Sequence, residues 1–100
     1  MVEQSNQPQI IDVKKAVFAA RNYLQSLETD LGGPFQDLLL EETELTDDRN
    51  FWLITLGFNH QIQSLAHPLG ISYSKEERKY KILKVNAETG EVESMKIREL

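Results

Sequence analysis

Cysteine is missing from this 100-residue chain. With it go a disulfide framework, a thiolate nucleophile and any cysteine-based zinc site. Long apolar runs are missing too: none approaches the roughly 20 residues that a membrane helix needs. The opening stretch MVEQSNQPQIID has neither a basic start nor a long apolar segment, so it does not read as a signal peptide. From these absences we expect a cytoplasmic protein that does not insert into a membrane. Positive charge is in short supply: 11 Lys and Arg stand against 16 Asp and Glu, a formal net charge of −5. Nucleic acid is usually met by a basic face, and none is expected as a partner. The run KEERKYKILK, Lys75 to Lys84, mixes both signs and reads as a solvated strand face.

Sites of catalysis are equally scarce. Ser64, Ser72 and Ser74 have no GxSxG context. Gly32-Gly33 is followed by no GKS or GKT, and it ends a helix where a phosphate loop would open one. Asp47-Asp48 and Glu41, Glu42 and Glu44 could in principle do acid–base work, which needs two groups with pKa values pushed apart. In an acidic chain they read as solvated turn and strand-face residues. His60 and His67, with Glu76 and Glu77, are the remaining metal candidates, but a spacing of seven in a loop is no recognised ligand pattern. We expect no enzyme, no metal and no cofactor.

What is present is architecture. A chain of this size makes one domain, burying roughly 60–70% of its unfolded surface. Residues 1–9 are rich in Gln and Asn and read as a flexible tail, leaving 10–100 as a single domain. Ile10, Val13, Val17, Ala20, Leu24, Leu27 and Leu31 step by three and four, which predicts a helix over about 13–30. Asp12 is the expected N-cap, with Ile11 packing on Ala16. Phe18 and Tyr23 would widen the apolar stripe, while Lys14, Lys15, Arg21 and Gln25 face water. Gly32 or Gly33, then Pro34, would stop the helix. Phe35 to Leu45 reads as a strand and Asp47 to Asn50 as a turn. In FWLITLGFN, Trp52, Ile54, Leu56 and Phe58 alternate onto one face and Phe51, Leu53 and Thr55 onto the other, as in a central strand. Trp52 reads as core, and Gly57 as a bulge or a close approach. Residues 60–77 break the alternation and read as a long loop. ERKYKILKVNAE is a further strand, Glu88-Thr89-Gly90-Glu91 a turn, and Val92 to Ile97 the last strand. The expected fold is therefore α+β: one N-terminal helix packed on a four-stranded antiparallel meander sheet.

Val85-Asn86-Ala87-Glu88-Thr89-Gly90-Glu91-Val92 resembles the closing hairpin of PepSY-type domains, within the broader cystatin-like α+β fold. The phrase ETELTDDRNFWLITLGF, with its aromatic at Trp52, is similar to that family's preceding strand pair. The resemblance covers roughly residues 10–98. Asn86 stands where many relatives carry Asp, and segment 60–77 is longer than the common version. The resemblance implies non-catalytic binding, sometimes modulation or inhibition of peptidases, and offers no catalytic residues to carry over.

Three functional readings follow. The first is a small module that binds a protein or peptide through the open sheet face or the 60–77 segment. LAHPLGISY is apolar for a loop, so Leu65, His67, Leu69, Ile71 and Tyr73 are the candidate binding residues. The second is an acidic immunity or antitoxin-type protein that neutralises a basic toxin. The third is a small-ligand carrier with a pocket between helix and sheet. A free edge strand would also allow pairing with a second copy as a homodimer.

Overall fold

The computed structural model describes residues 9–64 and 73–99, apart from the side chains of residues 62–64 and 73–75. The elements are α1 (Val13–Ser26), β1 (Phe35–Leu45), β2 (Phe51–Ser64), β3 (Tyr73–Asn86) and β4 (Val92–Ile97). The strands form one antiparallel sheet in the order β1-β2-β3-β4, preceded by the helix. This is the expected α+β architecture.

The helix begins as its sequence predicts. The Asp12 carboxylate accepts from the Lys15 backbone N–H at 2.8 Å, satisfying a donor that the helix cannot. Ile11 packs against the core and donates its N–H to the Ala87 carbonyl at 2.7 Å. The Trp52 indole donates to the Ile11 carbonyl at 3.0 Å, so the chain just before α1 is tied to β2 and to the turn after β3. Ala16, Ala20 and Leu24, one turn apart, are fully buried, and Val17 packs beside them. Phe18 corrects the expectation of a wider stripe: it is 67% exposed. At about 100° per residue it lies some 200° round the helix from Ala16, on the solvent side. Tyr23 is also exposed, and half-buried Arg21 lies close to β1 near the Leu38 carbonyl rather than pointing only at water.

The helix ends at Ser26, four residues before the expected limit of 30, and residues 27–32 form turns. The reason is the use made of Glu28. Its carboxylate accepts from the Phe35 N–H at 2.8 Å and its carbonyl from the Gly33 N–H at 2.7 Å. The chain is thereby folded back into β1. Gly32 takes φ +84°, the left-handed conformation expected of a glycine here.

Alternation in β2 places Ile54, Leu56 and Phe58 beneath the helix, where all three are buried. Register puts Leu83 and Val85 of β3 beside them, and Met95 of β4 completes the row from Leu83. The Phe35 ring lies 4.1 Å from that of Phe58 and closes the lower end of the core. Trp52 is half-buried at the upper end. Thr55, on the opposite face, is buried as well, which fits a central strand.

The long loop expected over 60–77 is corrected at both ends. β2 runs on to Ser64 and β3 starts at Tyr73, giving each strand 14 residues. HQIQS and YSKEER lack a clean apolar alternation, and from Gln61↔Glu76 to Ser64↔Tyr73 the ribbon runs past the paired parts of β1 and β4. The period-two signal fades there while the pairing remains.

Candidate binding edge

The two inner strands outrun the two outer ones. β1 stops pairing at Phe35↔His60, whereas β2 and β3 stay paired through Gln61↔Glu76 to Ser64↔Tyr73. On the other side β4 ends at Ile97↔Lys81, after which the Arg98 N–H donates to the Tyr80 carbonyl at 3.0 Å. Groups on an antiparallel strand point alternately to its two neighbours. Since Tyr80 faces β4, so do Arg78 and Glu76, while Glu77 and Lys79 face β2. Among the described residues no backbone partner meets Arg78 or Glu76 on that outer side.

A groove of about 440 Å³ lies at this corner, lined by residues 77–81 of β3 and by Ile97, Arg98 and Glu99. The cations around it divide by face. Arg78 and Arg98 are engaged on the face away from α1. Arg78 meets Glu41 at 2.7 Å, and Arg98 meets Glu42 at 2.6 Å while its guanidinium also donates to Thr55 Oγ1 at 3.1 Å. Lys79 and Lys81 pair with Phe58 and Leu56, so they stand on the α1 face. Neither forms an ion pair with a described residue. Burial, then repulsion from Lys79, lowers the pKa of the Lys81 ammonium from its ordinary value. Ile97, beside Lys81 in register, is 72% exposed.

Of the candidate residues named from the sequence, one falls within the described backbone. Tyr73 is the first residue of β3, opposite Ser64, and Leu65, His67, Leu69 and Ile71 lie outside the described residues. The open edge itself escaped sequence reasoning. Its only signal was that KEERKYKILK exceeds in length the strand that follows it.

Elsewhere the chemistry is self-contained. His60 Nε2 is 2.9 Å from the Gly32 carbonyl, and His67 is outside the described residues. Among the described residues no three His, Asp or Glu side chains converge as a metal site. No helix among them is long and apolar enough to cross a membrane. A second groove, of about 340 Å³, lies where Ile10 meets the two turns at Asp48–Asn50 and Asn86–Glu88. Neither groove lies between α1 and the sheet, where Ala16, Ala20, Leu24, Ile54, Leu56 and Leu83 fill the interior.

No family model, no curated protein and no solved structure matches the chain.

Proposed function

We propose that the protein is a small non-catalytic module that binds an extended segment of another protein at the β2–β3 ribbon. The observation that carries this reading is the overrun of the inner strands past both outer ones. A two-stranded ribbon on its own is marginal in water, and unpaired strand edges are templates for a further strand. Addition of a peptide strand satisfies those groups and gives affinity through the main chain. Leu65, His67, Leu69, Ile71 and Tyr73, the candidates read from the sequence, would add side-chain contacts. The PepSY resemblance is consistent with such a role and adds peptidases to the classes of partner to be tried.

The test is selection from a randomised peptide library on the full chain, followed by amide chemical-shift mapping of the winners. The reading predicts enriched peptides whose shifts fall on Gln61–Ser64 and Tyr73–Tyr80. No enrichment over a chemically unfolded control, or shifts confined to α1 and the Asp47–Asn50 turn, contradicts it.

A further inference from the structure

We propose that the two outer edges of the sheet pair with each other between copies, β1 of one chain adding to β4 of the next, so that the protein associates head to tail. This goes beyond the ribbon reading and uses other edges. β1 and β4 end the sheet, and among the described residues neither meets a strand on its outer side. Backbone groups of an antiparallel strand point alternately to its two sides. The Thr46 N–H donates to the Phe51 carbonyl, so Glu44 and Glu42 also turn their groups to β2, and Leu45 and Thr43 turn theirs outward. The Arg98 N–H donates to the Tyr80 carbonyl, so Lys96 likewise faces β3, and Met95 and Ile97 turn theirs outward.

Bulges limit where either edge can take a strand. Register shifts interrupt β1 between Gln36 and Leu39 and between Leu40 and Glu42, and interrupt the β3–β4 pairing between Lys84 and Val85. Residues 42–45 of β1 and 94–97 of β4 are regular. In this meander β1 and β4 run in opposite directions. A copy displaced across the sheet therefore offers its β4 to β1 in the antiparallel sense, with both helices on the same side.

Charge selects the crossed pairing. Glu44 is opposite Leu53, and Lys96 opposite Ile82, so both stand on the face away from α1. Neither forms an ion pair with a described residue. β1 paired with its own copy through the outward groups sets Glu44 on Glu44 or on Glu42. β4 paired with its own copy sets Lys96 on Lys96 or on Arg98. Like charges directly opposite are destabilising, and such charges guard an edge against its own copy. The guard fails between β1 and β4. When Thr43 pairs with Ile97 and Leu45 with Met95, Glu44 stands opposite Lys96 of the second copy. Glu42, which already holds Arg98 of its own chain, stands opposite the second copy's Arg98. The carboxylates of β4 and its end lie outside the regular stretch: Asn86 donates to Glu93, and Glu99 falls opposite the bulge of β1.

The same register works on the α1 face. It sets Leu45 beside Met95 and Thr43 beside Ile97, which at 72% is the most exposed large hydrophobic residue described. Each contact leaves one β1 edge and one β4 edge free, so association does not stop at a dimer.

The experiment is sedimentation equilibrium of the full chain. The weight-average mass should rise with concentration past that of a dimer. Glu44→Lys and Lys96→Glu, both at exposed strand positions, should each weaken association by about fivefold or more. Their equimolar mixture should recover it, since each variant offers the other an edge of opposite charge, and so should the chain that carries both substitutions. In the assembly the amides of Thr43, Leu45, Met95 and Ile97 should become protected together from hydrogen exchange. A wild type that stays monomeric at millimolar concentration overturns the proposal. A mixture that associates no better than either variant alone overturns it as well. So does a closed dimer in which only β1 or only β4 gains protection, because an edge has then paired with itself. A monomer whose β4 amides are protected only by a library-selected peptide also overturns it, since that edge then takes a foreign strand.

Discussion

Glu41 Oε2 and Arg78 Nη2 meet at 2.7 Å in the space that a side chain on Gly57 would occupy. A Cβ added to Gly57 would lie 2.5 Å from Glu41 Oε2 and 2.9 Å from Arg78 Nη2. The ion pair joins β1 to β3 across β2. Arg78 also donates to the Asp37 carbonyl and to Asn59 Oδ1, so one guanidinium straps three strands on the face away from α1. The glycine in a central strand is explained by that close approach.

A double-mutant cycle tests it. Ala in place of Gly normally stabilises a strand interior by roughly 0.5–1 kcal/mol. In the wild-type background Gly57→Ala forfeits that gain by displacing the ion pair, whereas with Glu41→Ala only the far end of the flexible Arg78 side chain, no longer held by Glu41, has to give way. The expected coupling is about 1 kcal/mol, read from denaturant midpoints. The same effect of Gly57→Ala in both backgrounds would contradict the arrangement.

Asp48 contributes to the acid response through its hydrogen bonds. The Thr46 hydroxyl at 2.6 Å and the Asn50 N–H at 2.9 Å hold its carboxyl below the usual carboxylate range. A depressed folded-state pKa means stabilisation that is present above the unfolded value, about 3.9, and is lost as pH falls through the folded one. The gap in Tm between the wild type and Asp48→Asn should therefore be open at neutral pH and narrow below about pH 4. A constant gap down to the lowest pH at which the chain folds would refute the assignment.

Asn86 holds the closing turn from both ends of its side chain. Its Oδ1 accepts from the N–H groups of Glu88 and Thr89, each at 2.9 Å, while its Nδ2 donates to Glu93 at 2.7 Å. Asp could keep the first role but not the second, and it would set two carboxylates side by side. Asn86→Asp should cost about 0.5–1.5 kcal/mol, and Glu93→Gln should recover part of it. An Asn86→Asp protein as stable as the wild type would show that the Glu93 contact contributes nothing.

Much of the fold was legible, and the reasons are local. Asp12 caps where an acceptor precedes an apolar-periodic run, and Ile54, Leu56 and Phe58 are buried where strict alternation places them. Phe18 misled because a large apolar residue was counted with the stripe despite its angular position. Leu24→Ala should thus cost about 2–5 kcal/mol, while Phe18→Ser should stay within about 0.5 kcal/mol of the wild type. Equal losses at both positions would reverse the assigned face of α1.

The open edge was illegible for another reason. Where β2 and β3 run past the paired parts of β1 and β4, the polarity of the sequence no longer alternates. Pairing there is a matter of backbone groups, which every residue carries alike. The length of β3 beyond β4 is a difference between two strands that do not announce their ends.

Amide hydrogen exchange of the free chain, read residue by residue, tests the central claim most directly. In β3 the N–H groups of Glu77 and Lys79 face β2 and should exchange slowly. The N–H of Arg78, turned away from β2 and without a backbone partner among the described residues, should exchange at a rate close to that of an unstructured peptide, and should slow when a library-selected peptide is bound. Protection of Arg78 equal to that of Lys79 in the free monomer would mean that this edge is already filled.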